Sequence, residues 1–577
     1  MTYSVVRTSA TRKIAVLPYW DAIAVLLVLG ILVFFAQASR GLVLPLAELE
    51  RHPLSLDPAN LPQYAARTSL RMLAAMLLSL LFTFTYATWA AKSRRAEVVL
   101  IPVLDLLQSV PILGFISVTV VFFMSLAPGL MLGAELAAVF AIFTSQAWNM
   151  AFSFYQSLRT VPKELEEAAR SFRLGAWMRF WRLEVPFAMP ALIWNMMMSM
   201  SGGWFFVVAS EAISVGNTSI RLPGIGSYIA LAVEERDLGA IGWAVGTMLV
   251  VILIYDQLLF RPLVAWADRF RFEHEAGVPP PRSWVLTMLR RSRLVMHAMA
   301  PFKTAWRRAY RAIARPQDAD RKGGRGLLPR RWGDRLWHSA VIAVAAFAFW
   351  KIAQFVLAGV TAAEAGIVFL YGLATLARVL VLTAIASAIW VPIGVWIGLR
   401  PSASRIAQPI AQFMAAFPAN LLFPFAVSAI VALRLDPDIW LSPLMVLGTQ
   451  WYILFNVVAG ATTIPSELRD ISASLGVRGW LWWRKIALPA VFPFYVTGAI
   501  TASGGSWNAS IVAEVARWGP DRLTAHGIGA YIAEATQAGD FHRIVLGIAV
   551  MGAFVVVLNR AFWRPLYRRA ERKYRLD

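Results

Sequence analysis

PKELEEAARSFRLGAWMRFWRLEVP, residues 162–186, returns as PSELRDISASLGVRGWLWWRKIALP, residues 465–489. The two stretches align without a gap at an offset of 303, pairing Pro162 with Pro465, Glu164 with Glu467, Ser171 with Ser474, Trp177 with Trp480 and Pro186 with Pro489. Downstream the same offset pairs Trp204 with Trp507, Glu211 with Glu514, Gly224-Ile225-Gly226 with Gly527-Ile528-Gly529, Tyr228 with Tyr531 and Arg261-Pro262 with Arg564-Pro565. Upstream the register becomes 307, matching Thr68 to Thr375, Arg71 to Arg378, Pro102 to Pro409 and Pro111 to Pro418. The chain is a tandem duplication, with residues 1–264 and 336–577 expected as homologous halves and 265–335 as the linker between them.

Composition sets the class. Hydrophobic residues make up 58% of the chain and charged ones only 15%, which describes a polytopic membrane protein rather than a soluble core. The 24 tryptophans suit belts at the membrane–water interfaces. A formal net charge of +22 is also a mark of nucleic-acid binding, but here the Lys and Arg lie in loops between apolar runs, the pattern of positive-inside topology. No nucleic-acid partner is expected. With no cysteine there is no disulfide framework, thiolate metal site or cysteine nucleophile. The six histidines are scattered without ligand spacing, so no metal site is expected.

Apolar runs near 14–36, 64–91, 98–126, 130–155, 187–213 and 241–265 are long enough to cross a bilayer, and the second half repeats them near 338–357, 371–399, 406–433, 440–459, 491–512 and 544–563. Lys92-Ser93-Arg94-Arg95, Arg400, Arg405 and the basic C-terminal RPLYRRAERKYRLD mark cytoplasmic segments. The expected fold is thus an all-α integral membrane protein of twelve transmembrane helices, multi-pass, with both termini cytoplasmic. Asp21 interrupts the first run and Ala36-Gln37-Ala38 imitates a signal-peptidase site; keeping that span leaves the halves with equal helix counts. The linker carries seventeen Lys/Arg against six Asp/Glu, half of the net charge of the chain. Within it, residues 284–313 read either as an amphipathic helix on anionic lipid or as a solvated connection.

The repeated charged segment follows an even-numbered span in each half and so faces the cytoplasm. It is a plain connecting loop or a docking helix. Small residues (Ala168, Ala169, Ser472) beside acidic ones (Glu164, Glu167, Glu467, Asp470) favour a helix seated in a partner's groove. The segment resembles the cytoplasmic loop of the permease subunits of bacterial ABC importers, which reads EAA, three residues, G, nine residues, I, one residue, LP. The first copy supplies Glu167-Ala168-Ala169, then Arg173 in the Gly position, Leu183, Val185 and Pro186; the second has Asp470-Ile471-Ser472, then Gly476, Ile486, Leu488 and Pro489. The VVASEAI run at 207–213, IVAEVA at 511–516 and the two GIG blocks are most similar to the nitrate/sulfonate/taurine/bicarbonate branch.

That resemblance implies the type I ABC importer permease fold in the bacterial inner (plasma) membrane, two cytoplasmic ABC ATPase subunits and an external solute-binding protein as partners, and a small anion or organic anion as cargo. It also implies ATPase coupling through Glu164, Glu167, Ala168, Ala169, Glu467, Asp470, Ser472 and Gly476. No GxxxxGK[ST] phosphate loop occurs, so ATP falls to the partner subunits and no cofactor is expected in this chain. Ser199, Ser201 and Trp204, with Ser503, Ser506, Trp507 and Asn508, either line a pathway or pack helices, and the two tryptophans either gate it or fill space. Arg71, Glu211, Arg378 and Glu514 sit about 30 Å from the cytoplasmic ends of their spans. They are expected either as ion pairs, Arg71 with Glu211 and Arg378 with Glu514, or with each glutamate capping the Gly-rich segment that follows it. The rival reading, an ion-coupled secondary transporter, needs ionisable residues at mid-membrane, and none is placed there. Nor is there a cluster of catalytic residues to make the chain an enzyme.

Overall fold

The computed structural model describes residues 19–39, 45, 54–109, 112–215, 218–270, 283–292, scattered positions from 294 to 308, and 330–574. These are overwhelmingly helical, and the only sheets among them are two two-stranded antiparallel hairpins, Ala212–Val215 with Thr218–Arg221 and Val515–Trp518 with Asp521–Thr524. The hairpins occupy equivalent places in the two halves, directly after Glu211 and Glu514.

Of the twelve expected spans, eight are helices long and apolar enough to cross a membrane, among them Pro58–Lys92, Met131–Arg159, Ala176–Glu211 and Leu238–Phe270 in the first half. Their second-half counterparts include Ala362–Gly398, Gly479–Ala513 and Phe541–Ala570. The other expected spans are shorter or broken. The helix Tyr19–Ser39 covers most of the first, whose residues 14–18 lie outside the described residues. Residues 98–126 and 406–433 are not continuous: Arg94–Ser109 is followed by Ile112–Leu126, and Pro401–Ala416 by Phe423–Ala432. Pro418 explains the second break, since the residue before a proline is driven out of the α region and Phe417 takes φ −72°, ψ 128°. Likewise 440–459 is a pair of helical segments bent by 43°. The bend falls at Gly448–Thr449, where the first half has Ser145 and Gln146 inside the unbroken Met131–Arg159; upstream, Pro437 and Pro443 stand where the first half has Ala134 and Phe140.

Among the described residues five helical stretches contain a wide turn of i→i+5 type; besides Thr83–Ala87, which is unmatched, four fall in matched pairs, Phe180–Glu184 with Trp483–Ala487 and Asp256–Phe260 with Asn559–Trp563. Each of these four ends two residues before a proline, Pro186, Pro489, Pro262 or Pro565. A helical proline clashes with the carbonyl four residues back and cannot bond it. Here that carbonyl belongs in every case to the wide turn, which lets the helix pass the proline.

By contact the chain forms two compact units. One takes the described parts of Met1–Gln37, Pro162–Pro190 and Tyr255–Arg321. In it the helix Trp284–Arg291 lays Val285 and Met288 against Ala24, with Trp20, Leu27 and Leu258 around them. Asp21, the charge that interrupts the first apolar run, is buried and accepts Ser292 Oγ at 2.6 Å and the Leu294 N–H at 3.2 Å. The helix Trp284–Arg291 therefore places Val285 and Met288 on protein, where lipid was one expectation, while Trp284, Leu294 and Met296 stay exposed. Residues 309–329 lie outside the described residues.

The second unit takes Ala38–Val161, Ala191–Ile254 and Lys322–Asp577, and so holds helices of both halves. Leu61–Phe82 packs on Met131–Arg159, while Ala362–Gly398 packs on Gln450–Thr462, which packs on Leu488–Ala513. The halves meet within it: the Ile112 N–H donates to Asn508 Oδ1 at 2.8 Å, Asn420 Nδ2 to the Phe205 carbonyl at 3.2 Å, and Trp194 stacks on Phe455. The helix Trp337–Gly359 buries none of its apolar window, and side chains such as Val344 and Phe349 stand exposed, as a lipid-facing span requires.

Candidate functional site

Two equivalent polar clusters stand in the second unit, one in each half. In the first, Arg71 Nη1 donates to Glu211 Oε1 at 2.7 Å, while Nε and Nη2 grip Glu135 at 2.6 and 2.7 Å. Nη2 also reaches the Pro223 carbonyl at 3.1 Å. Glu211 accepts the Thr68 hydroxyl and the Gly226 N–H, each at 2.6 Å, and Thr68 Oγ1 accepts the Ile225 N–H at 3.1 Å. Carboxylate and hydroxyl thus receive the first N–H groups of the helix Ile225–Glu234, which have no partner within the helix. Ion pairing and capping, posed as alternatives, occur together.

The second half repeats the plan with looser geometry. Arg378 Nη1 lies 3.3 Å from Glu514 and Nη2 2.9 Å from Asp438; Thr375 donates to Glu514 at 2.7 Å and accepts the Ile528 N–H at 3.0 Å. The Arg71 side chain is 3% exposed, whereas Arg378 is 15% and Asp438 39% exposed. Beside this cluster Tyr531 donates to Glu364 at 3.0 Å. Burial, reinforced by that carboxylate, pushes its hydroxyl well above the ordinary tyrosine range and keeps it a donor at physiological pH.

The clusters also explain the repeated GIG blocks. A Cβ at Gly224 or Gly527 would lie 2.3 Å from the carboxyl carbon of Glu211 or Glu514, so only glycine allows the helix to close on the carboxylate. Glu135 and Asp438, the other acidic partners, were not singled out from sequence. They are themselves 303 residues apart, and that acidic match in an otherwise apolar span was the available signal.

Between the halves, inside the second unit, lies a cavity of about 320 Å³. Of the expected pathway residues, Ser201, Ser503, Trp507 and Asn508 line it, and Ser199, Trp204 and Ser506 do not. Ser506 instead bonds Thr449 Oγ1 at 3.0 Å, and Trp204 and Trp507 are both buried. No charged side chain lines the cavity among the described residues.

The repeated loops form nine-residue helices, Lys163–Ser171 and Ser466–Ser474, each entered through a proline. Glu164, Glu167, Ala168, Glu467 and Asp470 are exposed, whereas the matched Ala169 and Ser472 are buried and anchor the helix on its own protein. Immediately after each helix a large apolar residue stands in solvent, Phe172 at 78% and Leu475 at 75% exposure. These matched positions escaped the sequence reading, which weighed only the acidic and small residues. The next residue takes the left-handed conformation in both copies: Gly476 at φ 66° and Arg173 at φ 50°. A side chain there costs about 1 kcal/mol, so Arg173→Gly is expected to stabilise the loop by about that much. Slower hydrogen exchange at the Arg173 and Leu174 amides, which close the helix end at 2.9 and 3.0 Å, would register it; unchanged exchange would count against strain.

Among the described residues no group of three or more His, Cys, Asp or Glu could hold a metal ion. The profile of the family described as "Binding-protein-dependent transport system inner membrane component" matches twice, over residues 84–260 and 390–575. A bicarbonate transport system permease protein, CmpB of Synechococcus elongatus, is 28% identical over 190 residues, 33% of this chain and 64% of its own length. A nitrate import permease protein, NrtB of a Synechocystis species, is 27% identical over 202 residues, covering 35% and 70%. A glycine betaine/carnitine transport permease protein, GbuB of Listeria monocytogenes, is 28% identical over 189 residues, covering 32% and 61%. The chain thus matches less than two thirds of the length of the bicarbonate permease.

Proposed function

The chain belongs, twice over, to the family of inner-membrane components of binding-protein-dependent transport systems, and on that premise we propose that it is a two-half permease of an ATP-driven importer for a small anion or organic anion. The observation that carries this reading is the repeated loop: two nine-residue helices, each with an exposed acidic face and an exposed apolar residue at its end, at equivalent positions in two homologous halves. One fused chain then offers two docking sites to two cytoplasmic ABC ATPase subunits. Glu164, Glu167, Ala168 and Phe172 form the contact surface in the first half, and Glu467, Asp470 and Leu475 that in the second. Ala169 and Ser472 seat the helices, and Gly476 turns the chain out of the second. An external binding protein delivers the solute. When the ATPases close on ATP they displace both loop helices and shift the bundle between its inward-open and outward-open states. Residues 1–264 and 336–577 serve as the two halves of the pathway. The bicarbonate and nitrate transport named for the relatives supports an anionic cargo.

Copurification tests the partnership. Affinity purification of the chain from its native membrane is expected to bring down an ATPase subunit, and proteoliposomes holding the complex and its binding protein to take up anion only with ATP. Uptake driven by a proton or sodium gradient without an ATPase would establish the secondary transporter instead.

The basic linker belongs on the cytoplasmic side with both termini, where each Lys or Arg near anionic headgroups is worth about 1 kcal/mol. Reporter fusions within 309–329 should report a cytoplasmic location; an external signal would overturn the twelve-span topology.

A further inference from the structure

We propose that the groove between the helices Ala362–Gly398 and Gly479–Ala513 of the second half binds one anionic phospholipid, with an acyl chain in the groove and the phosphate on Arg484, and that this lipid braces the turn that follows the loop helix Ser466–Ser474.

The groove encloses about 770 Å³. One wall is a single face of Gly479–Ala513, on which Trp480, Trp483, Leu488, Phe492 and Tyr495 recur at helical spacing. The other is formed by Ala388, Val391 and Pro392 of Ala362–Gly398. Its mouth opens on apolar surface, since Ile385, Ile389 and Ile393 of the same helix are exposed. At one end the Ser387 and Tyr495 hydroxyls lie 3.1 Å apart and bond each other, so that end asks for no polar ligand. At the other end stands Arg484. Tyr495 follows it by eleven residues, about 16 Å at the helical rise. A slot of that length, apolar along its walls and cationic at one end, matches a lipid whose phosphate sits at the rim and whose upper chain lies within.

The charge pattern narrows the occupant. Arg478, Arg484 and Lys485 are the only charged residues between Asp470 and Glu514. Among the described residues Arg484 has no carboxylate partner. A guanidinium takes a phosphate through two parallel hydrogen bonds, and tryptophans beside it suit the level where headgroups meet hydrocarbon. Basic pockets between spans hold anionic headgroups, whereas the trimethylammonium of phosphatidylcholine is repelled by Arg484 and Lys485. The first half has Trp181 in the place of Arg484 and Thr85 in the place of Pro392, so one such lipid per chain is expected. Trp480 follows the loop helix by six residues, and a lipid seated against it holds that turn still.

Native mass spectrometry of the full chain, released from detergent into which phosphatidylglycerol or phosphatidylcholine is titrated, measures the first lipid retained. Wild type should hold phosphatidylglycerol at least tenfold more tightly than phosphatidylcholine. Arg484→Gln removes the charged contact and should weaken phosphatidylglycerol about tenfold, the loss of one hydrogen bond to a charged group. Ala388→Phe fills the slot, leaves the guanidinium in place and should weaken it at least as much. Arg478→Gln, outside the groove, should change nothing, and all three variants should unfold at the wild-type midpoint. Inorganic phosphate, which has no chain, should not displace the lipid. Amide exchange at Leu475 and Val477 should slow when phosphatidylglycerol is added to wild type, and not for Arg484→Gln. Retention by both groove variants, or an equal loss for Arg478→Gln, overturns the site. Displacement by phosphate, or equal binding of the two lipids, overturns the anionic lipid as occupant. Binding of neither lipid leaves the groove to a protein segment and overturns the proposal. Unchanged exchange in a wild type that retains the lipid overturns the bracing.

Discussion

Arg71→Ala should cost about 3–5 kcal/mol of stability, the penalty for breaking a buried ion pair by removing one partner, and should sharply lower the yield of folded protein. Two carboxylates, Glu135 and Glu211, would be left facing each other at no more than 5% exposure. The same change at Arg378 should cost less, because its side chain is 15% exposed, its partner Asp438 is 39% exposed and keeps His526 Nδ1 at 2.9 Å, and its buried partner Glu514 keeps the Thr375 hydroxyl and the Ala530 N–H. Denaturant unfolding in detergent measures both. Equal losses in the two halves, or a loss below about 1 kcal/mol at Arg71, would contradict the burial argument. Gly224→Ala should resemble Arg71→Ala, since its methyl group would displace the Glu211 carboxylate.

Charge reversal on the loop helix is expected to leave the fold alone and stop transport. Glu167 and Asp470 are exposed and 303 residues apart on equivalent helices. Glu167→Arg removes an acidic contact from a small docking surface and adds a repulsive one, a change worth about 2 kcal/mol or more at an interface and hence about thirtyfold in ATPase affinity. Uptake should fall at least as far, with membrane level and unfolding midpoint unchanged. Adding Asp470→Arg should abolish ATPase copurification. Normal ATP-driven uptake by the double variant would remove the docking role from both helices.

Much of this was legible in the sequence because the duplication supplies its own internal comparison. Two positions that agree across an offset of 303, or of 307 upstream, carry information that neither carries alone, and Arg71, Glu211, the GIG blocks and the loop helices all stand out that way. Glu135 was missed because its counterpart is aspartate, so the match is one of charge and not of identity. The break at Pro418 and the bend at Gly448–Thr449 were hidden by hydropathy, which averages over a window and does not register where a helix stops. Which tryptophan nitrogens are buried without an acceptor was beyond reach, since that depends on how the helices pack around each ring. Phe172 and Leu475 stood in view, but an apolar residue in a polar loop looks like a buried anchor until its exposure is known.

The wide turns before the four prolines also record history. Each proline and its turn stand at the same place in both halves, so both existed in the single ancestral half before the gene was copied and joined to itself. Pro437 and Pro443 have no counterpart at Ala134 and Phe140, so the two copies diverged there afterwards. Once fused, the copies no longer had to serve as their own mirror image. An ancestor that paired two identical subunits would have had to accept every change on both sides of its pathway at once, whereas the joined chain could bend one flank and leave the other straight.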